Sequence, residues 1–83
     1  MESTLNPVHD SRKSFYGKAI VIHEGGKIKL RSYNTIVAEI EGTEATIHGF
    51  YSATTTRHIK DFLYQNGFEI GTKAQLEKMY MQD

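Results

Sequence analysis

YSATTTRHIKDFLYQNGF, residues Tyr51 to Phe68, reads as one complete helix with both ends marked. Ser52 or Thr54 can cap its start, since a short hydroxyl side chain satisfies the unpaired N–H groups of a first turn. Ile59, Phe62 and Leu63 recur at the spacing that gathers apolar side chains into one stripe. Gly67 supplies the left-handed residue that ends a helix, and Phe68 is placed to fold back onto Leu63. This predicts a helix over 53–66 that buries one side and needs something flat to bury it against.

The upstream sequence supplies that surface. Lys18 to His23, KAIVIH, is rich in β-branched residues, and Gly25-Gly26 can take the positive φ angles of a tight hairpin. Lys27 to Arg31, KIKLR, alternates strictly, with Ile28 and Leu30 on one face and the three cations on the other. Such alternation means one buried and one wet face, hence an antiparallel sheet. Ser32 to Thr35 is a turn candidate, because Ser and Asn side chains bond locally to backbone. Ile36 to Glu41 is a third strand with Ile36, Ala38 and Ile40 inward; Gly42-Thr43 turns again, and Glu44 to Gly49 is a fourth with Ala45 and Ile47 inward. Downstream, Thr72 and Gln75 match a capping box, and Leu76, Met79 and Tyr80 give a shorter apolar stripe. The expected fold is α+β: a four-stranded antiparallel meander packed on one face by the helix, plus a short C-terminal helix. Residues 1–14 are polar and show neither period, so they read as a flexible N-terminal arm, and 15–83 as a single domain.

Eighty-three residues leave room for one core, and self-association is an inexpensive way for so small a chain to bury more surface. Lys plus Arg and Asp plus Glu both number 10, so no net charge drives the chain onto nucleic acid or anionic membrane. The absence of Cys excludes disulfides, thiolate nucleophiles and Cys-based zinc sites. No apolar run approaches the ~18 residues of a membrane span, and no signal-peptide core is seen, so a cytoplasmic protein is expected.

Five groups of residues invite a functional reading. Ser52, Thr54, Thr55 and Thr56 with Arg57 stand at a helix N-terminus, where free N–H groups and a guanidinium can hold an anion; ordinary capping and packing at the stripe edge is the expected role of the hydroxyls. His58 precedes Asp61 by one turn, yet no evident nucleophile accompanies the pair, and packing at the sheet–helix seam is the expected role. His23, His48 and His58 carry none of the spacings of a metal site, so neither metal nor cofactor is expected. Lys27, Lys29 and Arg31 form a basic row followed by Tyr33, which with Arg57 suggests single-strand binding; Lys on an exposed strand is also a common guard against edge pairing. Tyr16, Tyr33, Phe50, Tyr51 and Tyr64 exceed what a small core needs, and exposed tyrosines are good interface anchors.

Two phrases, SYNTIVAEI at Ser32 to Ile40 and YSATTTRHIKDFL at Tyr51 to Leu63, resemble a family of small uncharacterised proteins of bacteriophages and bacterial mobile elements. Its pattern S-Y-x-T-x-V-A is matched at Ser32, Tyr33, Thr35, Val37 and Ala38. The second, Y-S-x-T-T-x-R-H-I-x-x-F, is matched at Tyr51, Ser52, Thr54, Thr55, Arg57, His58, Ile59 and Phe62. The resemblance implies a phage protein working in a bacterial host cytoplasm and brings no activity with it. The pairing suggests a polar network of Tyr33, Thr35, Ser52, Thr55 and His58 joining hairpin turn to helix start. With no nucleophile–base pair and no metal set, the expected function is not enzymatic. It is protein–protein binding by a small accessory protein, with a host or phage protein as partner and inhibition of a host enzyme or defence system as the outcome. Tyr33, Tyr51, Thr54, Arg57, His58 and Tyr64 are the candidate binding residues. The alternatives are nucleic-acid binding through Lys27, Lys29, Arg31 and Arg57, or capture of a small anionic ligand such as a nucleotide at the helix start.

Overall fold

A computed structural model describes residues 1–81; the last two positions of the expected 15–83 domain lie outside the described residues. Five strands, β1 (Glu2–Thr4), β2 (Ala19–Glu24), β3 (Lys27–Ser32), β4 (Thr35–Glu41) and β5 (Glu44–Ile47), pair antiparallel in chain order. Helices α1 (Ala53–Gln65) and α2 (Lys73–Tyr80) follow. The α+β class is as expected, but the sheet has one strand more than the sequence suggested.

Each hairpin from β2 to β5 turns on a residue at positive φ: Gly25 at 59°, Tyr33 at 58° and Gly42 at 61°. Two are glycines, which enter that region without steric cost. The third is a tyrosine, which does not.

Alternation predicts the inner face well. Ala19 and Val21 of β2, Leu30 of β3, Ala38 and Ile40 of β4 and Ile47 of β5 are buried. They meet Ile59, Phe62 and Leu63 of α1, all fully buried. The expected inward set Ile36, Ala38 and Ile40 needs a correction. A bulge opposite Leu30/Arg31 shifts the register, so that Leu30 faces Ala38 while Arg31 faces Ile36. Val37 is the residue left over, and it is buried beside Ala38 while Ile36 falls in the row of Arg31. An extra residue in one strand reverses the alternation beyond it.

The helix ends follow local chemistry. Ser52, rather than Thr54, caps α1, its Oγ accepting from the Thr55 amide at 3.1 Å. At the other end Phe68 N–H donates to Leu63 O at 2.9 Å and Gly67 N–H to Tyr64 O at 3.1 Å, a Schellman closure with Gly67 at φ 81°. Both bonds of the capping box between Thr72 and Gln75 are formed in α2. Leu76 and Tyr80 dock this short helix, and the Tyr80 hydroxyl donates to Glu69 O at 2.6 Å.

Residues 1–14 depart most from expectation. Instead of a loose arm, Glu2–Thr4 forms the edge strand against Ile20–Ile22, and Leu5 is buried in the core. The next turn is held by Asp61, a fully buried carboxylate on α1. Its oxygens accept the amides of Val8 at 2.7 Å, His9 at 2.9 Å and Asp10 at 2.9 Å, and the Gln65 side-chain amide at 3.0 Å. Gln65 also donates to Asn6 O at 2.7 Å. Consecutive backbone amides converging on one anion form a nest, filled here by the protein's own side chain.

Burial pushes the Asp61 pKa up, but hydrogen bonds from His9, Val8, Gln65 and Asp10 outweigh it and hold the group below its ordinary 3.8. A carboxyl whose folded pKa is depressed stabilises the fold above its unfolded value and loses that contribution as pH falls through the folded one. Stability is therefore expected to drop as pH falls below about 4. Asp61→Asn, which removes the charge and turns an N–H toward the amides, is expected to cost about 2–3 kcal/mol. Thermal unfolding of wild type and variant at neutral pH and at pH 3 checks both, the difference shrinking in acid.

Candidate functional site

The two sequence phrases singled out above meet in space. Ser32, the last residue of β3, is buried, and its Oγ lies 3.0 Å from Thr55 Oγ1 and 2.8 Å from His58 Nδ1. The Ser52 hydroxyl donates to Thr55 Oγ1 at 3.2 Å. Four side chains thus run in a line from the helix cap, across its first turn, to the sheet. The expected network contained Ser52, Thr55 and His58 but placed Tyr33 and Thr35 where Ser32 stands. Thr35 is exposed, and Tyr33 reaches the group through its ring, 5.9 Å from that of His58.

His58 is fully buried, edge-on to Phe15 with ring centroids 4.5 Å apart. Burial is the main reason its pKa is lowered; Arg12 acts in the same direction, while Asp10 and Asp61 oppose it. The ring is therefore neutral at neutral pH. Its Nδ1 faces Ser32, whereas Nε2 has no hydrogen-bond partner although it is buried. An unpartnered buried polar atom costs about 1–3 kcal/mol, and among the side chains of the described residues this nitrogen alone is in that state. The pairing with Asp61 considered from the sequence does not form, because that carboxylate is taken up by the N-terminal turn.

A cavity of about 210 Å³ lies against this histidine. Thr54 and His58 come from α1, Tyr33 from the β3–β4 turn, and Arg12, Ser14, Phe15, Tyr16 and Lys18 from the segment leading into β2. That segment turns sharply at Tyr16 and Gly17, φ 54° and 73°, where Lys18 N–H donates to Phe15 O at 2.9 Å. Tyr33 N–H donates to Lys18 O at 2.8 Å, tying the two turns together. Tyr33 and Lys18 also border a shallower neighbouring hollow with Gly17, Ile20, Arg31 and Asn34.

Of the candidate binding residues, the fold gathers Tyr33, Thr54 and His58 and separates the rest. Arg57 turns to the other side of the helix start, near Ser52, Thr56, Lys60 and Lys73, with Nη1 3.6 Å from Asp10. Tyr51 stands exposed with its ring over Gly49, where a Cβ would lie 2.9 Å from Tyr51 Cε2. Tyr64 is half exposed, its ring 5.1 Å from that of His9. The basic row is matched by acids: Lys27 with Glu39 at 3.5 Å, Lys29 with Glu24 at 3.0 Å and Arg31 with Glu2 at 3.2 Å. Arg12, Ser14, Phe15 and Lys18 escaped sequence reasoning because their segment read as arm or strand approach, and Tyr16 was singled out there only as a spare aromatic. One signal was present: His58, Asp61 and Gln65 repeat at helical spacing beside the apolar stripe, a row of bonding groups that needed a polar backbone opposite.

Fold and site together define a small α+β domain with a lined hollow at the junction of two turns and a helix start. The chain belongs to DUF8033, a family of unknown function whose model matches residues 3–78, so all but the first residue of the N-terminal strand falls within the shared unit. No curated protein and no solved structure matches it.

Ser32→Ala leaves His58 Nδ1 without its partner and removes one of the two side-chain partners of the Thr55 hydroxyl, and is expected to lower stability by about 1–3 kcal/mol. Tyr33→Phe, which removes a hydroxyl outside the network, should leave it unchanged. Denaturant titration of the two variants separates this account from one in which Tyr33 is a network member.

Proposed function

We propose that this is a small non-enzymatic binding protein that engages a protein partner through the tyrosines beside the His58 cavity. One observation carries the proposal. Tyr16 and Tyr33, which border that cavity, are 77% and 48% exposed, and both sit in the left-handed backbone region. That region costs a side-chain-bearing residue about 1–2 kcal/mol relative to its relaxed backbone. Gly or Asn would occupy it more readily, so a tyrosine there is explained by what its ring presents outward. Tyr16 and Tyr33 flank one cavity, and Tyr33 with Lys18 divides it from the next, so a partner surface resting on both hollows would grip Tyr33 between them.

The motif resemblance supports a phage-encoded accessory protein acting in a bacterial cytoplasm, with inhibition of a host enzyme or defence system as the consequence of binding. The nucleic-acid alternative has weaker support, because Lys27, Lys29, Arg31 and Arg57 each face a carboxylate.

Tyr16→Asn tests stability and binding at once. Relief of the backbone strain is expected to raise stability by about 0.5–1 kcal/mol. The Tyr16→Asn/Tyr33→Ala pair should lose a specific bacterial protein that the wild type retains in affinity capture. A double variant that retains the same partner at equal yield overturns the proposal.

A further inference from the structure

The cavity against His58 offers more than two aromatic walls. Arg12 and Lys18 line it, and among the described residues neither has a carboxylate within ion-pairing distance, unlike the cations of the sheet. Asp10, the nearest acid of the segment, is occupied by Arg57 and by the Arg12 backbone amide at 2.9 Å. The cavity therefore combines two uncommitted cations, the hydroxyls of Ser14 and Thr54, and one buried ring with an unpartnered nitrogen.

The polar line fixes what that nitrogen offers. Ser52 donates to Thr55; if each hydroxyl accepts once and donates once, Thr55 donates to Ser32 and Ser32 to His58 Nδ1. Nδ1 then accepts, and the proton of the neutral ring resides on Nε2. A buried N–H without an acceptor, in the wall of a cavity with unpaired cations, is a donor set awaiting an anion.

Size selects among anions. At about 210 Å³ the hollow is below the usual range of small-molecule sites, about 300–1,000 Å³. A single carboxylate on a short stem fits. We propose that the cavity receives one carboxylate of the protein partner, bound by the Arg12 guanidinium and His58 Nε2–H, with Lys18 adding charge and Tyr16 and Tyr33 closing around its stem. This rests on the protein-binding reading above and specifies what the partner must present. Because Nε2 is itself screened from solvent, entry requires the side chains around it to shift, Phe15 at 4.5 Å and Tyr33 at 5.9 Å from the His58 ring being the nearest aromatic ones.

The test needs no partner. The ring nitrogens of His58 in the full-length ¹⁵N-labelled protein are followed by long-range ¹H–¹⁵N correlation while sodium acetate, a blocked peptide with one internal Asp, or a blocked peptide with a free C-terminus is added. Chloride at equal ionic strength is the control. The starting spectrum should place the proton on Nε2. Acetate should shift Nε2 with saturation near the low millimolar range, about 1 mM corresponding to 4.1 kcal/mol. The better of the two peptides identifies the source as side chain or chain end. Arg12→Ala, at an exposed position, should weaken the response about tenfold with the melting temperature unchanged. A resting proton on Nδ1, or a response to all three carboxylates no greater than to chloride, overturns the carboxylate assignment. Neither result touches the tyrosine-based reading, which partner capture decides separately.

Discussion

The interaction on which the rest depends is the burial of one charge. Asp61 sits on the inward side of a helix whose other buried side chains are mostly apolar, and an isolated carboxylate there would be strongly disfavoured. Three successive amides and one side-chain amide make it tenable. The same bonds satisfy backbone donors of a segment with no secondary structure of its own. Charge and segment each need the other, and this holds an otherwise structureless stretch against α1.

From that tie the site follows. Leu5 enters the core on one side of the nest, and Phe15 packs against His58 on the other. Between them the chain is led past the helix start, so that Arg12 to Lys18 become one wall of the cavity. The opposite wall belongs to Tyr33 and His58, joined through Ser32. Neither wall encloses anything alone. The site is thus a product of long-range packing, with its aromatic rim set by backbone turns that tyrosine enters at some cost in stability.

Local chemistry made much of the fold legible. Ser52, Gly67 and Phe68 mark α1 because caps act within a few residues, and Gly25 and Gly42 mark hairpins for the same reason. The bulge at Val37 was hidden, since a strand's pattern does not say where its partner gains or loses a residue. The N-terminal strand was hidden too: its polar residues occupy an exposed edge, and the bonds that fix the following turn span more than fifty positions. In the site, the sequence pointed to the hairpin turn and helix start as one unit; of the six candidate binding residues it named, Tyr33, Thr54 and His58 line one cavity and Tyr51, Arg57 and Tyr64 do not. It placed Tyr33 in the polar line where Ser32 belongs, because a small hydroxyl at a strand end gives no sign of being buried. Arg57 was grouped with the hydroxyls of the helix start; it does lie near Ser52 and Thr56, but away from Thr54 and His58, since successive helical residues point about 100° apart.

Amide hydrogen exchange read residue by residue tests this arrangement most directly. If the Asp61 nest holds the N-terminal segment, the amides of Val8, His9 and Asp10 exchange slowly at neutral pH, with protection approaching that of the β2–β3 ladder. Exchange of these three amides at the rate of an unstructured peptide, with the ladder still protected, would show the segment to be free and the cavity wall built on it to be absent.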